Sequence, residues 1–302
     1  MTPRTRRDVL RAGTLAALAV SLTACRTGYS DEPDPLAPLA EQARADADAA
    51  HQVQGAAAAQ MATLRSAHAQ ALQAEVDRLN RPKSATHPDT PSGAGVSGLR
   101  ARLATARQQA ENLVPSLQGF RAGLVAAVAA GCAGLQEVSE LGTGEDPGPL
   151  GTTRSPVAAE SVDSLQKVLT AEHAAVWVYT LVTAFVPSNI VNSAADGATE
   201  HRDRRDACIV MLTAAGAQPA PAEPAYLTPQ PVTDAASAKN AVAAAEADAM
   251  AAWRGVLERA GDGELRALAL RGMLLSARRG TRWRISGDIS PIAVALPGAQ
   301  PS

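Results

Sequence analysis

The feature that most constrains the fold is a proline-rich stretch, AQPAPAEPAYLTPQPV (Ala217 to Val232), set between two pairs of helical segments. Ser161 to Val186 and Asn192 to Ala215 meet around Pro187-Ser188; Asp234 to Ala260 and Glu264 to Ile285 meet around Gly261-Asp262-Gly263. Connections that short force antiparallel neighbours. An extended proline-rich chain advances about 3.1 Å per residue and so covers nearly 50 Å here, more than the roughly 33 to 40 Å length of each helix. The pattern therefore predicts a four-helix bundle made of two hairpins and one lengthwise crossover. Alanine dominates the composition, aromatic residues are 3%, and no alternating β-branched segment of useful length occurs. The fold class expected is all-α.

The first half reads as a separate alanine-rich hairpin over 39–141. Leu39 to Leu79 forms one long helical run and Leu99 to Leu141 a second, with Arg81 to Gly98 breaking them and Pro115 placed to kink or divide the second. Residues 142–156, rich in glycine and proline, read as a linker to a bundle over 157–286, and 287–302 as a flexible tail. His51, His68 and His87 lie in polar surroundings without paired ligands and are expected at the surface.

The amino-terminal residues carry an address. Arg6 and Arg7 stand before a short apolar run, Gly13 to Leu22, that is too brief to span a bilayer. Leu22-Thr23-Ala24-Cys25 resembles a bacterial lipobox, so 1–24 is expected to be a twin-arginine signal peptide, Cys25 the lipidated first residue of the mature chain, and 25–38 a solvated tether. Removing 1–24 takes four arginines and one aspartate from 28 basic and 30 acidic residues, leaving 24 and 29, a formal charge of −5. That balance argues against nucleic acid as a partner. The expected location is the outer face of the cell membrane, held by lipid.

Several pieces of the second half carry a specific resemblance: AEHAAVWVY in the first helix, EHRDRRD in the second, the PAYLTPQPV crossover, Glu246 in the alanine-rich third helix and the closing ARRGTRWR. Together, over Val162 to Arg284, they resemble an uncharacterised ferritin-like domain family of exported actinobacterial proteins. The resemblance implies a ferritin-like four-helix bundle and no particular reaction.

Helical periodicity places Glu172 in a stripe with Leu165, Val168, Val176 and Tyr179, and Glu246 in one with Val242, Ala249, Met250 and Trp253. Inward glutamates on two helices are half of a carboxylate-bridged di-iron site; the other half is a Glu-x-x-His pair on each remaining helix. No such pair occurs. Glu200 and His201 are adjacent and diverge, and the fourth helix offers arginines after Glu264. Because an inward glutamate is costly unless paired or protonated, a buried polar cluster of Glu172, Glu200, Arg205, Glu246, Arg271 and Arg278 is expected, with guanidinium groups neutralising the carboxylates. The alternative is a non-standard iron or manganese site drawing on Glu172, His173, Glu200, His201 and Glu246.

Trp177, Tyr179, Trp253 and Met250 at helical spacing read as core, and Met211 and Met273 as packing rather than haem ligands. Cys132 and Cys208 allow either a disulfide or two buried thiols. With no Ser-His-Asp order, phosphate loop or Cys-x-x-Cys pair, no catalytic residue is assigned. The expected role is non-enzymatic, an interaction or structural module at the envelope with an unidentified protein partner; the alternative is iron storage or an oxidase-like activity.

Overall fold

The computed structural model describes residues 32–81, 95–142 and 148–299. Arg6, Arg7, Cys25 and the first half of the tether lie outside the described residues, as do His87, residues 143–147 of the linker and 300–302. Among the described residues the regular structure is eight α-helices: α1 (Ala37–His51), α2 (Ala56–Leu79), α3 (Gly95–Leu113), α4 (Gly119–Leu135), α5 (Ala159–Val182), α6 (Val191–Ala214), α7 (Ala235–Arg259) and α8 (Gly263–Ser286). The protein is all-α. No helix among them is long and apolar enough to cross a membrane.

Helices α5 to α8 make the bundle. Glu172 of α5 meets His201 of α6 and Trp253 of α7, while Tyr179, two turns on, meets Glu246 of α7. Residue numbers rise on one helix as they fall on its neighbour, so adjacent helices are antiparallel. The same holds between α6 and α8, where Arg204 meets Ser276 and Glu200 meets Arg279. The crossover climbs the length of α5: Gln166 bonds the backbone at Gln218 and Ala220, Trp177 packs on Tyr226 at 6.1 Å, and Val232 joins the cluster around Val182. Capping sets the starts of α7 and α8, where Asp234 accepts from the Ser237 backbone and Asp262 from that of Leu265.

The amino-terminal run is two helices rather than one. It breaks before Gly55, whose φ of +119° is closed to most side chains, and α1 folds back on α2. Pro115 divides the next run, as its fixed φ and missing N–H require, into α3, a 3₁₀ turn over Val114–Ser116, and α4. Helix α4 is almost entirely buried and lies against α7 and α8 as well as α3. Its composition explains how close it comes: a Cβ at Gly123 would strike Glu258, one at Gly131 the Ala295 carbonyl, and one at Gly134 the Thr281 hydroxyl. One apolar core consequently runs from Leu36 and Leu72 through Val125 and Val128 to Leu165, Trp253 and Met273.

His68, expected at the surface, is fully buried. Its Nδ1 accepts from Arg65 at 2.9 Å and its Nε2–H donates to the Ala295 carbonyl at 2.6 Å, so the ring is neutral. Burial and the Arg65 charge hold its pKa down at about 3. The bond to Ala295 ties 288–299, expected to be a flexible tail, onto α2 and α4. Arg65 is in turn paired with buried Asp46 at 3.1 Å. Cys132 and Cys208 are free, buried thiols.

Because α4 covers the apolar face of α7 and α8, a fragment containing only 157–299 is expected to self-associate, whereas the chain from residue 32 onward stays monodisperse. Light scattering after size exclusion separates the two outcomes; a monodisperse, equally stable fragment would show that α4 is dispensable.

Candidate functional site

The inward residues of α5, α6 and α7 converge on His201. Both ring nitrogens face carboxylates, Nδ1 2.5 Å from Glu172 Oε2 and Nε2 3.2 Å from Glu246 Oε1, and all three side chains are fully buried. An ionised carboxylate only accepts, so both nitrogens donate and the ring is an imidazolium. Arg204, one turn along α6 and also buried, brings Nη1 to 3.9 Å from Glu172 Oε1 and donates from the same nitrogen to Ser276 Oγ at 2.7 Å. Two anions and two cations make a neutral quartet. Trp253 Nε1 donates to Glu172 at 2.9 Å and Tyr179 OH to Glu246 at 2.6 Å.

The electrostatics agree with the geometry. Burial pushes the Glu172 pKa up, but Arg204, His201 and the Trp253 bond outweigh it and the net shift is downward. Burial likewise opposes Glu246, yet His201 and Arg204 bring it to about 2. For His201, burial and Arg204 disfavour the charge; Glu246 and Glu172 overcome both and raise its pKa. Burial and the Glu246 charge drive the Tyr179 phenol far above its ordinary value, so it serves as a donor.

The sequence-predicted cluster is partly assembled. Glu172 and Glu246 are inward, and guanidinium charge does come from α6, but through Arg204 rather than Arg205. Arg205 points to the surface and pairs with Asp206 at 2.8 Å. Helix phase is the reason: Ala194, Ala198, His201, Arg204, Cys208 and Met211 share the buried stripe. On α8 the expected Arg271 is exposed and donates to the Pro149 carbonyl, and Arg278 turns toward α4, where it meets Glu137 and Gln136. Arg279 is the arginine that crosses to α6, gripping both oxygens of Glu200 and burying its stem beside Tyr179. Glu200 thus sits at the rim of the bundle, half-exposed. His173 faces the crossover near Ala220 and makes no part of the quartet.

Glycines make the room. A Cβ at Gly197 would collide with the Tyr179 ring, one at Gly272 with the Trp253 indole, and one at Gly280 would press on the Glu246 stem at 3.2 Å. Each glycine costs a helix interior about 1 kcal/mol relative to alanine. Three facing the same network are a signal that was present in the sequence.

These residues do not fit a carboxylate-bridged di-metal centre. Where such a centre needs Glu-x-x-His on each of two helices, the inward i, i+3 pairs are His201 with Arg204 on α6 and Ser276 with Arg279 on α8. Any metal between Glu172 and Glu246 would face the Arg204 guanidinium across a few ångströms, a repulsion of about 4 kcal/mol per unit charge at 4 Å in a partly screened interior. Among the described residues no group of three or more His, Cys, Asp or Glu is arranged to hold a metal ion.

Comparison with known proteins covers this same half. Residues 164–301 match a family described as a domain of unknown function, DUF4439. Among solved structures, the chain is similar to a conserved hypothetical protein, rv2844, from Mycobacterium tuberculosis. The two are 34% identical over 46% of this chain and 98% of that one, with a TM-score of 0.42. The matched segment takes in most of α5 and all of α6, α7 and α8. No curated protein matches it. All members of the quartet, and Ser276 and Arg279 beside it, fall inside the DUF4439 segment; α4 does not.

The quartet makes the stability of the DUF4439 bundle depend on pH in two directions. The raised His201 pKa means its contribution is fully present below about 6.5, the ordinary histidine value, and is lost as pH rises through the folded value. The depressed glutamates contribute above about 4.5 and lose that contribution as pH falls, for Glu246 toward about 2. Stability should therefore be greatest between these limits. His201→Gln is expected to cost about 3–5 kcal/mol near pH 6, since it leaves buried carboxylates without their partner. It should also invert the profile, the variant gaining stability on acidification as one glutamate takes up a proton. Urea unfolding from pH 4 to 9 measures both, and a variant profile parallel to the wild type would exclude an imidazolium at this position.

Proposed function

We propose that this chain is an exported, lipid-anchored protein whose carboxy-terminal half is a ferritin-like bundle that has exchanged metal for internal ion pairs. Its role on this reading is non-enzymatic, an interaction or structural module held at the outer face of the cell membrane. The observation that carries it is the replacement of the two Glu-x-x-His pairs by His201/Arg204 and Ser276/Arg279, while Glu172 and Glu246 persist on the other two helices. On this reading His201, Arg204 and Arg279 stand in for ligands, with Ser276 at the remaining position. The antiparallel order of α5 to α8 with a lengthwise crossover supports the ferritin-like assignment, and Arg6, Arg7 and the lipobox ending at Cys25 support the address.

A neutral, fully buried quartet has no exposed nucleophile or base to offer a substrate, which favours surface interaction over catalysis. The merged core of α1 to α8 suits that role, because the amino-terminal helices and the DUF4439 bundle would present one rigid surface on a tether from Cys25.

Two measurements bear on this reading separately. Elemental analysis of protein purified without chelator after export through its own signal is expected to give far less than one transition metal per chain. About two irons or manganese per chain would overturn the ion-pair account and make Glu172 and Glu246 ligands. Membrane fractionation of Cys25→Ala is expected to release the protein to the soluble fraction, and unchanged retention would refute the lipid anchor while leaving the bundle chemistry intact.

A further inference from the structure

The seam between α6 and α8 differs from the other three seams of the bundle. Their backbones do not pack closely; Arg204 with Ser276 and Arg279 with Glu200 tie them together. Near the start of α6 the seam opens into a cleft of about 240 Å³. Its wall on the α6 side is Ile190, the residue that caps the helix, with Ser193 and Asp196, and its α8 wall is Arg279, Arg282, Trp283 and Ser286. These are positions i, i+3, i+6 on one helix and i, i+3, i+4, i+7 on the other. Such facing stripes in a bundle are ordinarily apolar and packed together; here, apart from Ile190 and Trp283, they are small, polar or charged.

The chemistry of the walls is asymmetric. On α8, Arg282 keeps half its side chain exposed and is held through Nη1 alone, 3.1 Å from Glu137 Oε2. That leaves part of its donor fork open, in a geometry that matches a carboxylate. On α6, exposed Asp196 carries the opposite charge and makes no ion pair with either arginine across the cleft. The floor is Trp283, whose ring meets Tyr179 edge-on at 6.0 Å, and Tyr179 donates to Glu246. The inner wall of the cleft is thus the outer wall of the buried quartet.

We propose that this cleft binds a small monocarboxylate with a flat apolar body and a hydrogen-bond donor at its far end. The carboxylate would lie on Arg282, the body against Trp283 and Ile190, and the donor toward Asp196, with Ser193 and Ser286 at the sides. A second anionic group at the far end would face Asp196, which disfavours dicarboxylates. Arg279 is already committed to Glu200 and serves to position the wall. The site depends only on the α6–α8 seam and stands apart from the question of export.

The test uses the full chain in detergent, labelled with 5-fluorotryptophan, so that its three tryptophans report separately by fluorine NMR; Trp283→Phe assigns the resonance. The probe is 4-hydroxybenzoate and its neutral control 4-hydroxybenzamide. Saturable movement of the Trp283 resonance is expected with the acid. Affinity should be about tenfold weaker with the amide and about tenfold weaker in Arg282→Gln, the effect of losing one charge-assisted contact. In Asp196→Asn it should be several-fold weaker. Both substitutions are at exposed side chains outside the quartet, and unchanged Trp253 and Trp177 resonances certify the fold. No movement of Trp283 up to about 10 mM acid, a range that covers even weak binding, would overturn the proposal. So would equal movement with acid and amide or in Arg282→Gln.

Discussion

Charge balance inside a dry bundle is the condition on which the rest of the carboxy-terminal half depends. Glu172 and Glu246 are fully buried on α5 and α7, and a lone buried carboxylate in such a place costs several kcal/mol. His201 resolves both at once because an imidazolium has two donors pointing in opposite directions, one for each glutamate. Arg204 supplies the second positive charge and carries the network across to Ser276 on α8. One residue of α6 therefore links α5 to α7, and the next turn links α6 to α8. Such a network favours one register of the four helices over the alternatives, since a slip by one turn would leave at least one ion without a partner.

The surroundings follow from that geometry. Tyr179 and Trp253 each spend their single polar hydrogen on a carboxylate, which fixes two large rings in the core and demands space for them. The space is taken from the backbone of the opposite helices at Gly197 and Gly272, while Gly280 admits the Glu246 stem. Glycine here has nothing to do with turns; it lets an aromatic ring lie flat on a helix. Cys208, just beyond His201 on the inward stripe, is a buried thiol whose pKa is driven well up by burial and by Glu172, so it packs as a small apolar group.

Much of this was legible in the chain. The short hairpin connections and the proline-rich stretch dictate the order of α5 to α8, because few paths satisfy one long link between two antiparallel pairs. The inward direction of Glu172 and Glu246 follows from three- and four-residue periodicity within strongly apolar segments. Their partners were harder to read because α6 has almost no apolar stripe: EHRDRRD is seven charged or titratable residues in a row, and a phase error of one residue exchanges Arg204 for Arg205. Counting back from Cys208 and Met211 would have fixed that phase. On α8 the same ambiguity exchanges Arg279 for Arg278. His68 went unrecognised for a different reason, since its partners Arg65 and Ala295 come from its own helix and from a segment more than 200 residues away, and no local pattern encodes the second.

Helix α4 shows why the two halves act as one body. Its small residues let it approach α7 and α8 so closely that three glycines face side chains or backbone of the bundle and tail. A helix built of alanine and glycine has little side chain of its own to bury; it gains stability by packing on other helices, here α7 and α8, and its residues join the same apolar core as Trp253, Leu257, Leu265 and Met273. Close packing on the α4 side and open packing on the α6 side are complementary. The bundle meets α4 through α7 and α8, where residues are small and contacts are dry. It spreads at the adjoining α6–α8 seam, where arginines span a gap that apolar side chains would have closed. The same four helices can therefore be rigid on one face and leave a cleft on the next.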